Sequence, residues 1–595
     1  MKTYRPLLRL LNPAGHFAIL FLLFSASAFA QSNKADIVGT VKDSSGAAVP
    51  GATVTITKVE TGAERTVTSS DSGEYSAPLL DIGAYTVTAK KEGFQTVTRD
   101  NIVLQTSDRL RIDIELKPGD VSAQVTVSVG APLIETESSD RGAVVTGREV
   151  TELPLSGRNF TQLATLMPGV AAANNTGFGG TGPDARQFNN GDPRAGDGGP
   201  GSSNAQGSTE NSRFARSGGG ALTVNGQRST NNNFSLDGVD NNEPQFGTIG
   251  VFPNPDAIAE FKVTTSVPQA EVGRAGGAVI NTSIKSGTND FHGSGYYYGQ
   301  NSALNAYHPK LKRDRADAIS RGVTDLTPFT KAVQQIHEFG GTIGGPIFRN
   351  KTFFFFDYLG QRNHLPFPAS STVPTPASRN GNFSAFSNVD CDRDGKTNGT
   401  NDGPVCNPFT GKAFAGAVIP DALISPISKR LANLFPLPTI SIVDPSQSNN
   451  NYFTQRANQE RINNYEVKID HRLTSNNSLT GRYNDQRLKT NRANLLQGLP
   501  TAGFGAGDEV GDTRQITVTD THTFSPTLLN EFRFGLTQID IGIFNCGVGG
   551  ACGTSATFAQ DIGYPNANDG TLEASGGPGL GNFGTGFTEY LGDGG

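Results

Sequence analysis

Three carboxylates at alternate positions, Asp390, Asp392 and Asp394, stand directly before Gly395. Alternate carboxylates on a tight glycine turn converge on a hard cation, so the segment is a candidate structural calcium loop. Asn401 fills the position where such loops carry a bidentate Glu, and an acidic surface loop is the simpler reading. The four cysteines form two local pairs, Cys391/Cys406 and Cys546/Cys552, each in a polar, glycine-rich stretch. No His lies near either pair at ligand spacing, so disulfides stapling long loops are expected rather than a metal site. A catalytic set is missing. Gly395-Lys396-Thr397 has the tail of a P-loop, but Asp390 occupies the place of its leading Gly. Neither H-E-x-x-H nor G-x-S-x-G occurs, and the seven His are scattered. The chain is expected not to be an enzyme, with no cofactor beyond the candidate calcium.

The elements that must carry these loops are strands. Gly is abundant at 73, with 36 Phe, 13 Tyr, two Met and no Trp. That mix suits short strands and polar turns, not a helical bundle. Net charge is −6 over 595 residues, and no Lys/Arg block is dense enough for nucleic acid.

The N-terminus carries an export signal, assigned to residues 1–30. Lys2, Arg5 and Arg9 precede the apolar run Phe17 to Phe24, and Ala28-Phe29-Ala30 is a cleavage site leaving Gln31 first. The apolar run is well short of the ~20 residues of a spanning helix, so any membrane crossing must use strands.

Residues 34–118 read as a β-sandwich. Val54 and Ile56 alternate with threonines, as do Tyr85, Val87 and Ala89. Leu110, Ile112, Ile114 and Leu116 alternate with charged residues. One buried face per strand follows from this period of two. Residues 119–290 are mixed, with short helices expected near Arg148–Leu153 and Asn159–Met167, and a mobile Gly/Asn-rich loop over 171–220.

Residues 291–595 carry longer alternating strands. Tyr465, Val467, Ile469, His471 and Leu473 point one way, and Asn464, Glu466, Lys468, Asp470 and Arg472 the other. A second hairpin sets the polar face Thr513, Gln515, Thr517, Thr519 and Thr521 beside Leu528, Phe532, Phe534 and Leu536. Strands about 10 residues long with long loops on one side only are the pattern of an outer-membrane barrel. Tyr296-Tyr297-Tyr298 and Phe353 to Phe356 are candidates for its aromatic girdles.

In order along the chain, several motifs together resemble the Oar-like TonB-dependent receptors that carry an N-terminal carboxypeptidase-regulatory-like domain. Ile37-Val38-Gly39-Thr40-Val41 and Asp71-Ser72-Gly73-Glu74-Tyr75 resemble the sandwich. Leu153 to Phe160 resembles the start of the plug, and Asn225-Gly226-Gln227-Arg228 with Leu236-Asp237-Gly238 its centre. Glu260-Phe261 and Arg274-Ala275-Gly276-Gly277 resemble its end, and Lys285 to Gly293 leads into the first barrel strand. The resemblance implies a mainly β chain: an N-terminal β-sandwich in the periplasm, an α/β plug, then the first part of an antiparallel transmembrane β-barrel.

The resemblance further implies outer-membrane lipid around the barrel and an extracellular ligand. A TonB-type inner-membrane energy-coupling complex would displace the plug by pulling on an extended segment. The candidate contact is Val125-Thr126-Val127-Ser128-Val129, with an ordinary connecting strand the simpler reading. Barrels of this class need roughly twice the about seven strands countable after residue 290, and the chain ends Leu591-Gly592-Asp593-Gly594-Gly595 without a terminal aromatic. A truncated sequence is expected. The expected function is uptake of a large or scarce ligand, a siderophore, glycan or peptide. The alternative is a surface adhesin or secretion-linked interaction protein.

Overall fold

The computed structural model describes residues 33–120, 124–128, 137–155, 158–172, 222–243, 249–268, 272–307, 309–320, 326–371, 373–439, 451–492, 507–525, 528–545 and Gly563. The export signal with Ala28, Ala30 and Gln31, nearly all of the 171–220 loop, and Cys546 and Cys552 lie outside them.

Two sheets form the N-terminal sandwich. In one, β1 (Ala35–Asp43) pairs with β4 (Glu74–Leu80) and with the short parallel strands β7 (Arg109–Arg111) and β8 (Ile114–Leu116). The other has the order β3 (Ala63–Thr68), β2 (Thr53–Lys58), β5 (Gly83–Lys90), β6 (Thr96–Leu104), β9 (Gln124–Ser128). The expected alternation closes the core: Val54, Ile56, Val87, Ile112, Ile114 and Leu116 are buried in one cluster. Arg109, Arg111, Asp113 and Glu115 between them are exposed. Each fully buried aliphatic side chain contributes about 1.5–3 kcal/mol.

The middle unit is a five-stranded sheet of β10 (Arg141–Thr146), β15 (Ile258–Ser266), β16 (Val279–Ile284), β13 (Asn233–Leu236) and β14 (Val239–Asp240) in that order. A small antiparallel pair, β11 (Val170–Ala172) with β12 (Leu222–Val224), accompanies it. The two expected short helices occur as an α-helix over Gly147–Glu152 and a 3-10 helix over Phe160–Leu166. Thr146 starts the first with a capping box: Glu149 accepts its N–H at 2.7 Å, and its hydroxyl accepts the N–H of Glu149 at 3.4 Å. Phe160 joins the second to the sheet, edge-on to Phe261 at 5.3 Å.

The third unit is one antiparallel meander of seven strands, the number countable in the sequence. These are β17 (His292–Asn301), β18 (Gln335–Phe348), β19 (Thr352–Ser371), β22 (Tyr452–Thr474), β23 (Asn477–Arg492), β24 (Gly507–Ser525) and β25 (Leu528–Asn545). The two-residue strands β20 (Cys406–Asn407) and β21 (Lys412–Ala413) pair within the long β19–β22 connection. Among the described residues the first and last strands of the meander do not pair with each other.

Strands reach 23 residues, longer than the expected ten. β19 and β22 stay paired from Thr352/His471 to Ser371/Tyr452, because backbone pairing continues beyond the lipid. No described helix is long and apolar enough to cross a membrane.

The sheet is inverted relative to a soluble one. Tyr465, Val467 and Ile469 are 36–42% exposed, whereas Asn464, Glu466 and Lys468 are buried on the other face. On β24 the polar row Thr513, Gln515, Thr517, Thr519 and Thr521 is buried, and on β25 Leu528, Phe532, Phe534 and Leu536 are exposed. Lipid receives the oily row and the middle unit the polar one.

The aromatic runs divide between the faces. Tyr297 and Phe356 lie outward, but Phe353 and Phe355 are buried inward. Tyr296 and Tyr298 take the inner face, where Arg158 stacks on both at 4.8 and 4.3 Å. Consecutive strand residues cannot share a side, so only half of each run can reach lipid.

Candidate functional site at the plug and barrel interface

Lys468 on β22 and Arg482 on β23 are directly paired across the strands. Like charges placed opposite one another repel, so an anion is needed between them. Asp237 supplies it from the turn between β13 and β14. Its carboxylate lies 3.5 Å from the Lys468 ammonium and 3.1 Å from Arg482 Nε. The second contact is close without hydrogen-bond alignment, so it acts as charge against charge. The backbone N–H of Ile284 donates to Asp237 at 3.0 Å. Burial pushes the Asp237 carboxyl up, but Lys468 and Arg482 outweigh it and hold its pKa below the usual carboxylate value. Lys468 also donates to the Ile284 carbonyl at 2.9 Å, and Glu466 faces Arg482 at 3.5 Å.

A second anchor lies near the start of the middle unit. Arg158 binds Glu338 on β18 at 2.7 Å and Asp256 of its own unit, under the two tyrosine rings. Asn254 donates to Asp357 on β19 and to the Tyr296 hydroxyl at 2.9 Å. Elsewhere, Phe252 N–H donates to Gln486 and Asn464 donates to the Phe252 carbonyl, both at 3.3 Å. Among the described residues a small buried apolar cluster also spans the interface, Leu236, Val251, Ala257 and Ile284 against Phe355.

The sandwich closes the third side. The short turns near Asn350 and Asn476 lie on its side of the sheet: Asn350 approaches Gly62, and Arg472 lies 3.5 Å from the Gly62 carbonyl. Short turns face the periplasm in such barrels, which places the sandwich there. A cavity of about 290 Å³ lies where the three units meet, walled among others by Asp81, Glu260, Ser283, Lys468 and Asp470.

The outer membrane beta barrel domain matches residues 283–594, more than half of the chain, and the carboxypeptidase regulatory-like domain matches residues 36–117. The chain belongs to the outer membrane beta-barrel domain family. The TonB-dependent transporter Oar of Myxococcus xanthus is 28% identical over an alignment of 357 residues that covers 58% of this chain and 28% of that protein. The chain thus matches little more than a quarter of that relative's length, and the expected kinship with Oar-like receptors holds.

Among solved structures, the outer membrane transporter YddB from Escherichia coli has a TM-score of 0.38 at 10% identity, over 67% of this chain and 39% of that one. The siderophore receptor PirA from Pseudomonas aeruginosa has 0.31 at 10% identity, over 68% and 42%.

Within this outer-membrane barrel protein the sequence motifs separate. Leu236, Asp237 and Gly238 meet the barrel, the last through its carbonyl, which accepts from Arg533 at 2.9 Å. Glu260 meets the sandwich at Thr106. Phe261 is core. Asn225, Gly226, Gln227 and Arg228 form an exposed turn, tied at Asn225 to the Thr265 carbonyl at 2.7 Å. Arg274 pairs on the surface with Asp240 at 3.2 Å, and the N–H groups of Gly276 and Gly277 donate to the Asn231 carbonyl.

Val125, Thr126, Val127 and Ser128 lie in β9, the edge strand of the sandwich, with Val125 and Thr126 exposed. Val129 lies outside the described residues. Cys391 and Cys406 are joined by a disulfide. Carboxylate oxygens of Asp390, Asp392 and Asp394 lie within 4.8 Å of one another. Asp390 accepts the N–H groups of Asp394 and Gly395 at 3.2 and 2.8 Å, while Asn401 donates to Asp392 at 2.9 Å. The loop's own donors account for its shape. The Asn401 amide, with the backbone N–H of Asp394, holds the Asp392 pKa below its usual value.

Sequence reading missed Lys468 and Arg482 as partners of Asp237. The signal was present: a turn at residues 475–476 pairs the two cations, which calls for an anion from elsewhere.

Proposed function

We propose that the chain acts as an outer-membrane TonB-dependent transporter. In this reading, extracellular ligand binding and a proton-gradient-driven pull from a TonB-type complex displace the middle unit, the plug. The ligand is one that general pores exclude, such as a siderophore, glycan or peptide. The observation that carries the reading is the seat of Asp237 between Lys468 and Arg482. Charged groups that pair when docked recover hydration when parted, so such a seat releases more readily than an apolar core. An adhesin has no use for a removable stopper.

The test is uptake by cells expressing the full-length gene, with labelled ferric siderophores, oligosaccharides and peptides as probes. Accumulation should stop when a protonophore collapses the gradient, and when residues 120–135 are deleted. Accumulation that survives both would end the transporter reading.

A further inference from the structure

We propose that the N-terminal sandwich is a latch on the plug, which leaves its seat only after the sandwich releases it. The proposal rests on the transporter reading and adds a component to it. The contact is the turn between β6 and β7, Gln105 to Asp108. Asp108 shapes the turn by accepting the Gln105 N–H at 2.8 Å. Thr106, wholly buried, donates its N–H to the Glu260 carboxylate, and its hydroxyl lies 2.9 Å from that of Ser283. The Lys262 ammonium reaches the Ser107 carbonyl at 3.3 Å and the Asp108 carboxylate at 3.8 Å. Glu260 and Lys262 are on β15 and Ser283 on β16, so one turn of the sandwich grips two adjacent strands of the plug.

The same sandwich also holds the static wall. The Asn289 N–H, at the foot of the barrel, donates to the Glu60 carbonyl at 3.0 Å. Asn33 lies 3.5 Å from Arg533 on β25. A body tied to both stopper and frame restrains one against the other. Its contacts are polar, so they exchange with water when broken.

The strand order also gives the latch a handle. β9 pairs in parallel with β6 from Thr96/Gln124 to Asp100/Ser128, and β6 runs directly into the gripping turn. A pull on β9 therefore acts on the strand that leads into Thr106.

The test is a cysteine pair, Thr106→Cys with Ser283→Cys, in the full-length protein inserted into planar bilayers. Potassium chloride current is recorded as urea is raised to unseat the plug. The oxidised pair should stay closed at urea concentrations that open the parent, and dithiothreitol should restore the parent's opening. Lys262→Met, which needs no cross-link, should open at lower urea than the parent. The latch is overturned if the cross-linked and reduced forms open at the same urea. It is equally overturned if the two thiols fail to join in the inserted protein. Absence of uptake by the parent, with the latch effect intact, would count against the transporter reading alone, because the current needs neither ligand nor energy coupling.

Discussion

Asp237 of the plug lies 3.1 Å from Arg482 of the barrel wall, and both side chains are at least nine-tenths buried. Removing one member of such a pair strands the other charge in a dry site, at about 3–5 kcal/mol. Asp237→Ala should therefore lower the stability of the seated plug by that order, leaving Lys468 opposite Arg482 without the anion between them. Thermal unfolding followed by circular dichroism in detergent measures it. An unchanged transition would show that the seat does not depend on this charge.

Acid should act through the same carboxyl. Its folded pKa is depressed, so its stabilisation is present above the unfolded value of about 3.9 and is lost as pH falls through the lower folded value. The contribution of Asp237 to plug stability should not change with pH from neutral to about 4, and should fall below that. Asp237→Asn should remove this part of the acid sensitivity. Melting curves of parent and variant across a pH series, converging at low pH, are the expected result.

Gly39 on β1 has no room for a side chain. A Cβ there would lie 2.0 Å from the Ile112 carbonyl oxygen and 2.9 Å from the Tyr75 ring. That carbonyl also accepts the Tyr75 hydroxyl at 2.6 Å, inside the sandwich core. Gly39→Ala should destabilise the sandwich by about 1–3 kcal/mol or more, the usual cost of overpacking. Near-ultraviolet circular dichroism of the tyrosines reports it, since the chain has no Trp.

Cys391–Cys406 closes a loop with a sequence separation of 15, a constraint worth about 3 kcal/mol on chain-entropy grounds. The double variant Cys391→Ser/Cys406→Ser should leave the barrel intact while its outer loop is cleaved up to about a hundredfold faster by added protease. Equal cleavage rates would mean that other contacts hold the loop.

Much of the architecture was legible in the sequence because alternation is a local property. In Asn464 to Leu473 the residue order itself decides which side chains share a face, and the oily face is the outward, exposed one. The same rule placed Val54, Ile56 and Leu116 in the sandwich core. The aromatic runs were read less well, since three tyrosines in a row look like one feature until the pleat divides them.

What only the tertiary structure decided is who meets whom. Asp237 finds Lys468 231 residues later, and Thr106 finds Ser283 177 residues later. Periodicity fixes a side chain's direction relative to its own strand and carries no information about which distant charge waits there. That choice is made when the three units pack, because each buried charge must then find its opposite or remain in water.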